Sequence, residues 1–236
     1  MKRVTFPCVA MILLGCTFLS PATLRAQDYP LAPGTSWTYH LHKDVGPLAH
    51  FDGEDARMAK NGVVETTVIA HVVGTEDISG KPYVRVEAMG QGKLANIDWY
   101  ALTPVGLLHA RAVDYVAQSQ SDFDPPEVLL SHALAPGESW TWQDRQGAVS
   151  SKKTAFAPEQ ITVPAGSYRA ISVRTEMIIP TPISPTQIVP MNVTMTQWFV
   201  PGVGFVKQDV RFEINEHLLS HNLMTLEKFE RAPAPK

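Results

Sequence analysis

The sequence has little cysteine, and none of it lies beyond the N-terminal region. Its 236 residues include two cysteines, Cys8 and Cys16. The chain from residue 27 onward therefore has no disulfide, no thiol nucleophile and no cysteine metal site. A domain without disulfides must be stabilised by its core, and 44% apolar residues suffice to build one.

Charged residues are also scarce, at 18% of the chain, and positive charge is in deficit. Lys2, Arg3 and Arg25 lie within the first 26 residues, so the remainder carries 17 basic against 23 acidic residues, a net charge of −6. Nucleic acids and anionic membrane surfaces attract basic patches. This composition therefore argues against nucleic acid as a partner.

The N-terminus has the order of a secretory signal peptide. Lys2 and Arg3 precede an apolar run over residues 4–19, and small residues then lead to Ala26. The run is too short to span a membrane comfortably. We predict a signal peptide over residues 1–26, a mature chain without a transmembrane span, and a periplasmic or extracellular location.

A second interpretation of the same region is a lipoprotein signal. Residues 13–16 (LLGC) are similar to a bacterial lipobox, in which the thiol of Cys16 would be acylated and anchor the chain to a membrane. Phe18 and Leu19 continue the apolar run past the cysteine, which favours soluble export. Lipidation remains the alternative.

The chain contains an internal repeat. Residues 31–39 (LAPGTSWTY) recur as residues 134–142 (LAPGESWTW), and residues 98–107 match residues 197–205 with one residue of slippage. We predict one β-rich domain over residues 27–231, with repeat cores at 29–112 and 132–212, a C-terminal strand at 222–229 and a disordered tail at 232–236.

The repeated segments have the pattern of turns and half-buried strands. Pro-Gly favours a tight turn, and the alternation that follows places Trp37 and Tyr39 on one strand face. Prolines between residues 180 and 190 exclude a central strand there and predict a loop or a β-edge insertion. The predicted fold is all-β: an antiparallel curved sheet or open barrel built from two tandem repeats of about 100 residues.

Eight large aromatic side chains invite two interpretations. Curved sheets and small barrels enclose apolar cavities, so the rings could line a ligand site on the concave side. Alternatively they form the core itself. The set comprises Trp37, Tyr39, Trp99, Tyr100, Trp140, Trp142, Trp198 and Phe199.

The histidines do not specify a metal site. His40 and His42 share a strand face, with the metal-binding types His50, Asp52, Glu54 and Asp55 close behind. Ser36 and Thr38 lie on that same face, which favours a solvated polar surface. His217 and His221 are spaced i, i+4, but the glutamate precedes the first histidine, unlike in zinc peptidases, and a polar connection is expected there.

No catalytic motif is present either. The sequence has no nucleophile elbow, Ser-x-x-Lys pair, phosphate loop or dinucleotide glycine motif. We therefore predict no catalytic, cofactor-binding or metal-ligating residue, and no cofactor.

Three segments resemble a pattern found in uncharacterised exported bacterial proteins. Residues 30–39 fit PLxPGxxWxY, residues 163–168 fit VPAGx followed by Tyr or Phe, and residues 198–207 fit WFxPGVGxVK. The chain resembles the domain-of-unknown-function families of periplasmic β-proteins, including those labelled TapB-like. The resemblance implies a β fold and an envelope location, and it carries no catalytic residues.

The function expected from these observations is non-enzymatic. The first hypothesis is an exported envelope protein that binds an apolar small molecule in a β cavity. Alternatives are a structural or assembly factor that acts through contacts with another envelope protein, and an envelope hydrolase. A sizeable cavity would favour the first, and a filled core with exposed sheet edges the second.

Overall fold

Almost all of the chain is β-structure in the computed structural model, which describes residues 26–47, 49–51, 53–184 and 186–233. These residues form a 3-10 turn at Ala26–Asp28 and one short helix, α1, at Gly53–Met58. The strands are β1 (Ser36–Val45), β2 (Val63–Ile78), β3 (Lys81–Gly90), β4 (Lys93–Thr103), β5 (Gly106–Asp114), β6 (Ser119–Ser131), β7 (Ser139–Gln143), β8 (Ser150–Ala155), β9 (Glu159–Val163), β10 (Gly166–Ser184), β11 (Gln187–Val200), β12 (Gly204–Ile214) and β13 (His217–Glu230).

Twelve of these strands form one antiparallel sheet. Their order is β6-β5-β4-β3-β2-β1-β13-β12-β11-β10-β8-β7, and β9 pairs separately with β10. The predicted all-β antiparallel class is confirmed. The predicted signal peptide and Cys16 lie outside the described residues, as do residues 234–236 of the predicted tail.

The sheet curves until its two edge strands meet. β1 and β13 lie in the middle of the sheet. They are joined by a ladder with one bulge, which starts at Ser36 opposite Glu230. No ladder joins β6 to β7 within the described residues, but side chains of β7 cross the gap: Trp140 Nε1 donates to Val128 O at 2.8 Å, and Trp142 Nε1 to Pro125 O at 2.6 Å. The result is an open barrel with one unladdered junction, which we call the seam.

The barrel interior is packed at the end where β1 begins. Tyr29, just after the 3-10 turn, stacks on Phe199 with ring centroids 6.0 Å apart and meets Phe205 edge-on at 5.4 Å. Trp37 is 2% exposed and donates from Nε1 to Val203 O. Burial raises the pKa of the Tyr29, Tyr39 and Tyr100 hydroxyls well above the ordinary value. We call this the plugged end and the opposite one the open end.

The two halves of the chain occupy the sheet in the same order. Read in one direction across the sheet, β6 to β1 are followed by β13 to β10, β8 and β7, so the strand numbers descend in both halves. Trp99 donates to Glu76 at 2.9 Å with Arg111 over its ring, and Trp198 donates to Glu159 at 2.7 Å with Lys207 over its ring. Such matches are what a duplication would leave, and the duplication stays a prediction.

Beyond the sheet, β10 and β11 continue as a two-stranded ribbon. The β8–β10 ladder ends where Ser150 pairs with Ile178, and the β11–β12 ladder ends where Met191 pairs with Ile214. Proline lacks an amide donor, so it is tolerated here, where no outer neighbour requires one. Pro180 and Pro190 face each other across the ribbon, in agreement with the expectation that this segment is not a central strand.

Candidate functional site

The eight aromatic residues do not all face the interior. Adjacent residues on a strand point to opposite faces, so Trp99 and Tyr100 separate: Tyr100 packs with Tyr29 in the core, while Trp99 belongs to an outer cluster under Arg85 and Arg111. Trp198 and Phe199 divide in the same way. The expectation that all eight rings line the concave side is wrong because the pairs alternate.

At most six of the eight rings face the interior, and none of the eight lines the open end. A cavity of about 880 Å³ lies there, within the usual size range of small-molecule sites. Its wall includes Leu41, Lys43, Val64, Thr66, Val68, Leu94, Asn96, Asp114, Ser220 and Asn222, together with Ala49–Phe51, Gly53 and Asp55 from the β1–β2 connection. At its rim Tyr115 and Val116 are 50% and 76% exposed.

A glycine directs the β1–β2 connection across this cavity. Gly46 follows β1, and its amide donates to Leu219 O of β13 at 2.9 Å. A Cβ at Gly46 would lie 1.7 Å from Leu218 O, so only glycine permits this close approach. The chain then returns over the open end with Phe51 and α1.

Two polar groups stand side by side on the cavity wall. Lys43 of β1 pairs in register with Asn222 of β13. Lys43 Nζ contacts Asp55 Oδ2 of α1 at 2.5 Å and lies 5.6 Å from the centre of the Phe51 ring. Asn222 Oδ1 is buried and has no hydrogen-bond partner. The cavity thus combines an apolar wall with a cationic group and an unsatisfied amide.

A second polar cluster is buried behind the seam. Lys153 of β8 is 1% exposed and forms an ion pair with Glu127 of β6. Ser151 Oγ donates to Glu127 Oε1 at 2.8 Å, and Lys153 Nζ donates to Ser151 Oγ at 3.1 Å. Burial lowers the pKa of the Lys153 amine, and Glu127 opposes that shift. The cluster is self-paired, which suits a structural role at the seam.

His109 lies beside this cluster. Its ring sits 4.4 Å from that of Phe123, and its Nε2 is 2.9 Å from Asp98 Oδ1, in a geometry that is electrostatic rather than an aligned hydrogen bond. His109 pairs in register with Glu127. Polar side chains therefore continue across β4, β5, β6 and β8 on the concave face.

The histidines considered as metal ligands lie elsewhere. His40 and His42 occupy the outer face of β1 and share the Glu65 carboxylate, each at 2.6 Å. These contacts lower the pKa of Glu65, with the His42 hydrogen bond as the largest cause. His50 lines the cavity and Asp55 pairs with Lys43. The structure therefore does not bring these two residues together with His40 and His42. Asp52 and the Glu54 side chain lie outside the described part.

The other histidine pair is also dispersed. His217 and His221 lie in β13, so the expected polar connection is wrong. The strand begins at His217, before the predicted start at residue 222. His221 bridges Asp44 and Asp209 at 3.2 and 3.0 Å. Among the described residues no group of three or more His, Cys, Asp or Glu side chains is arranged to hold a metal ion.

Sequence patterns could not reveal Asn222, Glu127 and Lys153 as interior polar residues. Parity along β1 places Lys43 on the face of Trp37 and Tyr39, so one signal was present. The partners Asn222 and Glu127 come from distant strands, and their registers were not readable. Within the described part of the chain, no helix is long and apolar enough to cross a membrane.

Two solved structures are similar to most of the chain at low identity. One is a protein inferred to be exported, with a YmcC-like fold, from Bacteroides fragilis NCTC 9343 (12% identity, TM-score 0.42). The other is inferred to be a lipoprotein, from Parabacteroides distasonis ATCC 8503 (12% identity, TM-score 0.45). Each comparison covers 89% of this chain and 100% of the other.

Family comparison adds one segment-level match. No curated protein sequence matches the chain. One protein family matches a single segment of the chain, which runs from β8 into β13. This segment includes the Trp198 hairpin, one of the segments that carried the resemblance to uncharacterised β-protein families. That resemblance is confirmed, because residues 149–224 match the DUF3108-like family.

Proposed function

We propose that this chain is an exported envelope protein that binds an apolar small molecule in the cavity at the open end of its barrel. The observation that carries the proposal is the unfilled volume of about 880 Å³ on the concave face. A core that only stabilised the fold would be packed throughout, since empty space forfeits dispersion contacts. Leu41, Val64 and Val68 supply the apolar surface.

Location supports a carrier or receptor role. The N-terminal signal sends the chain to the periplasm or the cell surface, either free or anchored through Cys16. Apolar molecules crossing the aqueous envelope need a protein that shields them. A barrel plugged at one end and open at the other supplies such a shield.

Ligand binding is tested with the purified full-length chain after removal of co-purified lipid. Native mass spectrometry and thermal unfolding are run with hexadecanol, farnesol and hexadecane. A ligand at one hundred times its Kd stabilises the folded state by about 2.7 kcal/mol. For a domain of this size that corresponds to a rise in Tm of roughly 5–10 °C.

Neighbouring threonines give a matched pair of variants. Thr66 lines the cavity, while Thr67 is exposed on the outer face of the same strand. Thr66→Phe should reduce the Tm rise by obstructing the cavity, and Thr67→Phe should retain it in full. Equal ligand response in both variants, or no bound mass with any of the three compounds, would refute the proposal.

The ribbon favours one alternative, an assembly factor that contacts another envelope protein. Residues 177–193 contain no charged residue, and Ile183 and Ile188 are 52% and 70% exposed. Exposed apolar side chains on a projecting element are typical of protein contacts. A photoreactive residue at position 188 should then crosslink to one defined partner in cells, whereas one at the exposed Lys152 should not.

A further inference from the structure

We propose that the ligand of the open-end cavity is an amphiphile with a single anionic head group, held by Lys43 and Asn222. This inference rests on the proposed function and names the class of ligand. The cavity would take the apolar tail, and the two wall residues would take the head.

Lys43 is placed where a head group needs a counter-charge. Its stem runs along the wall beside Leu41, and its ammonium group reaches toward the β1–β2 connection. A lysine inside a partly apolar cavity is costly to leave unpaired. In the structure the Asp55 carboxylate of α1 provides the pairing, at 2.5 Å.

The Asp55 carboxylate therefore stands in for an acidic ligand. It reaches the cavity from a helix of six residues on the connection that crosses the open end, not from the barrel wall. The two side chains remain 30% and 27% exposed, and the net worth of such a pair is small because water screens it. A ligand acid entering the cavity can replace Asp55 at little cost.

Asn222 is the independent observation. It lies directly opposite Lys43 across the β1–β13 ladder, and its Oδ1 is buried without a hydrogen-bond partner. Buried amide atoms are usually satisfied. Its Nδ2–H group, on the cavity wall, would donate to an oxygen of the same anion that Lys43 binds.

The alternative polar cluster does not fit this role. Lys153, Glu127 and Ser151 satisfy one another, and Lys153 is 1% exposed. An apolar guest without a head group would make no use of Lys43 or Asn222. The geometry thus favours a carboxylate or phosphate amphiphile over a neutral lipid.

The test compares hexadecanoate with hexadecanol, which have the same chain length and differ in head-group charge. Dissociation constants are measured by titration calorimetry on the delipidated full-length chain at neutral pH. The wild type should bind the acid at least about tenfold more tightly than the alcohol, the scale of a charge-assisted hydrogen bond.

Three variants assign that preference. Lys43→Gln should abolish the difference while leaving hexadecanol affinity within about twofold. Asp55→Asn should tighten hexadecanoate binding by several-fold, since Lys43 loses its internal competitor. Lys228→Gln, which removes an exposed lysine of the outer face paired with Glu230, is the control and should change neither affinity.

Each result decides the question. Equal affinity of acid and alcohol for the wild type would overturn the head-group assignment while leaving an apolar site intact. Weaker hexadecanoate binding in Asp55→Asn would overturn the stand-in role of Asp55. Failure of both compounds to bind would refute the proposed function itself and the inference with it.

Discussion

Removing the carboxylate of Glu127 should destabilise the barrel strongly, because it would leave Lys153 charged and unpaired behind the seam. Glu127 is 4% exposed and belongs to β6, while Lys153 is 1% exposed and belongs to β8. The isosteric change Glu127→Gln keeps the volume and the Ser151 hydrogen bond but removes the counter-charge. Breaking one partner of a buried ion pair costs about 3–5 kcal/mol.

The same residues make a second, opposite expectation. Replacing both partners with apolar residues, as in Glu127→Leu combined with Lys153→Met, removes both desolvation penalties. Such double replacements are often neutral or stabilising by about 1–4 kcal/mol. The coupling energy from the double-mutant cycle should therefore be large, at roughly 3 kcal/mol or more.

The pH dependence follows from the sign of the Lys153 shift. Burial holds the pKa of Lys153 below its ordinary value of 10.5, and Glu127 pulls it upward. Between the lowered pKa and 10.5 the unfolded chain binds more protons, so folding stability rises with pH there. Without Glu127 the pKa falls further, so Glu127→Gln should gain stability with rising pH over a wider range below 10.5 than the wild type does.

The assay is urea unfolding followed by tryptophan fluorescence at several pH values. The reasoning is refuted if Glu127→Gln unfolds at the wild-type urea midpoint at pH 7. It is also refuted if the double variant is destabilised as much as the single one. In either case the seam would not depend on this pair.

Three further measurements test other parts of the structure. Trp37→Ala should lower the free energy of unfolding by about 3–5 kcal/mol through lost burial and a cavity, whereas Trp142→Ala, at the less buried edge strand, should cost clearly less; equal urea midpoints would contradict this. Contacts with His42 and His40 lower the pKa of Glu65. The stability that Glu65 contributes is therefore present above its unfolded pKa of 4.5 and is lost as pH falls through the folded value. Glu65→Gln should reduce the loss of folding stability on acidification by under about 1 kcal/mol, because the contacts are exposed. Mass spectrometry of the exported protein should show a chain that begins at Gln27, and a diacylglyceryl mass on Cys16 would establish the lipoprotein instead.

The sequence was sufficient for the fold class and the polarity of many strand faces. Alternation along residues 36–39 placed Trp37 and Tyr39 inward, and both are buried. Proline content identified residues 180–190 as unfit for a central strand, and they form the outer part of the ribbon. These predictions succeeded because they depend on local backbone chemistry.

Features that depend on long-range register could not be predicted. Adjacent aromatic residues such as Trp99 and Tyr100 looked like one cluster, yet strand parity sends them to different faces. The polar residues around His217 and His221 predicted a solvent-exposed connection. The structure instead includes both histidines in β13, which is partly exposed along most of its length. The cavity itself depends on how far twelve strands curve, and no local pattern reports that curvature.

The plugged end has a geometric consequence for a tethered form of the protein. Residues 26–28 lie against the Gly202 turn, where Gly202 N donates to Asp28 O at 2.7 Å. From there the chain reaches the cavity through β1. If Cys16 were the membrane anchor, the segment that joins it to the barrel would attach at the plugged end. The open end would then be the end of the barrel farther from the point of attachment. A freely diffusing form would have no such polarity.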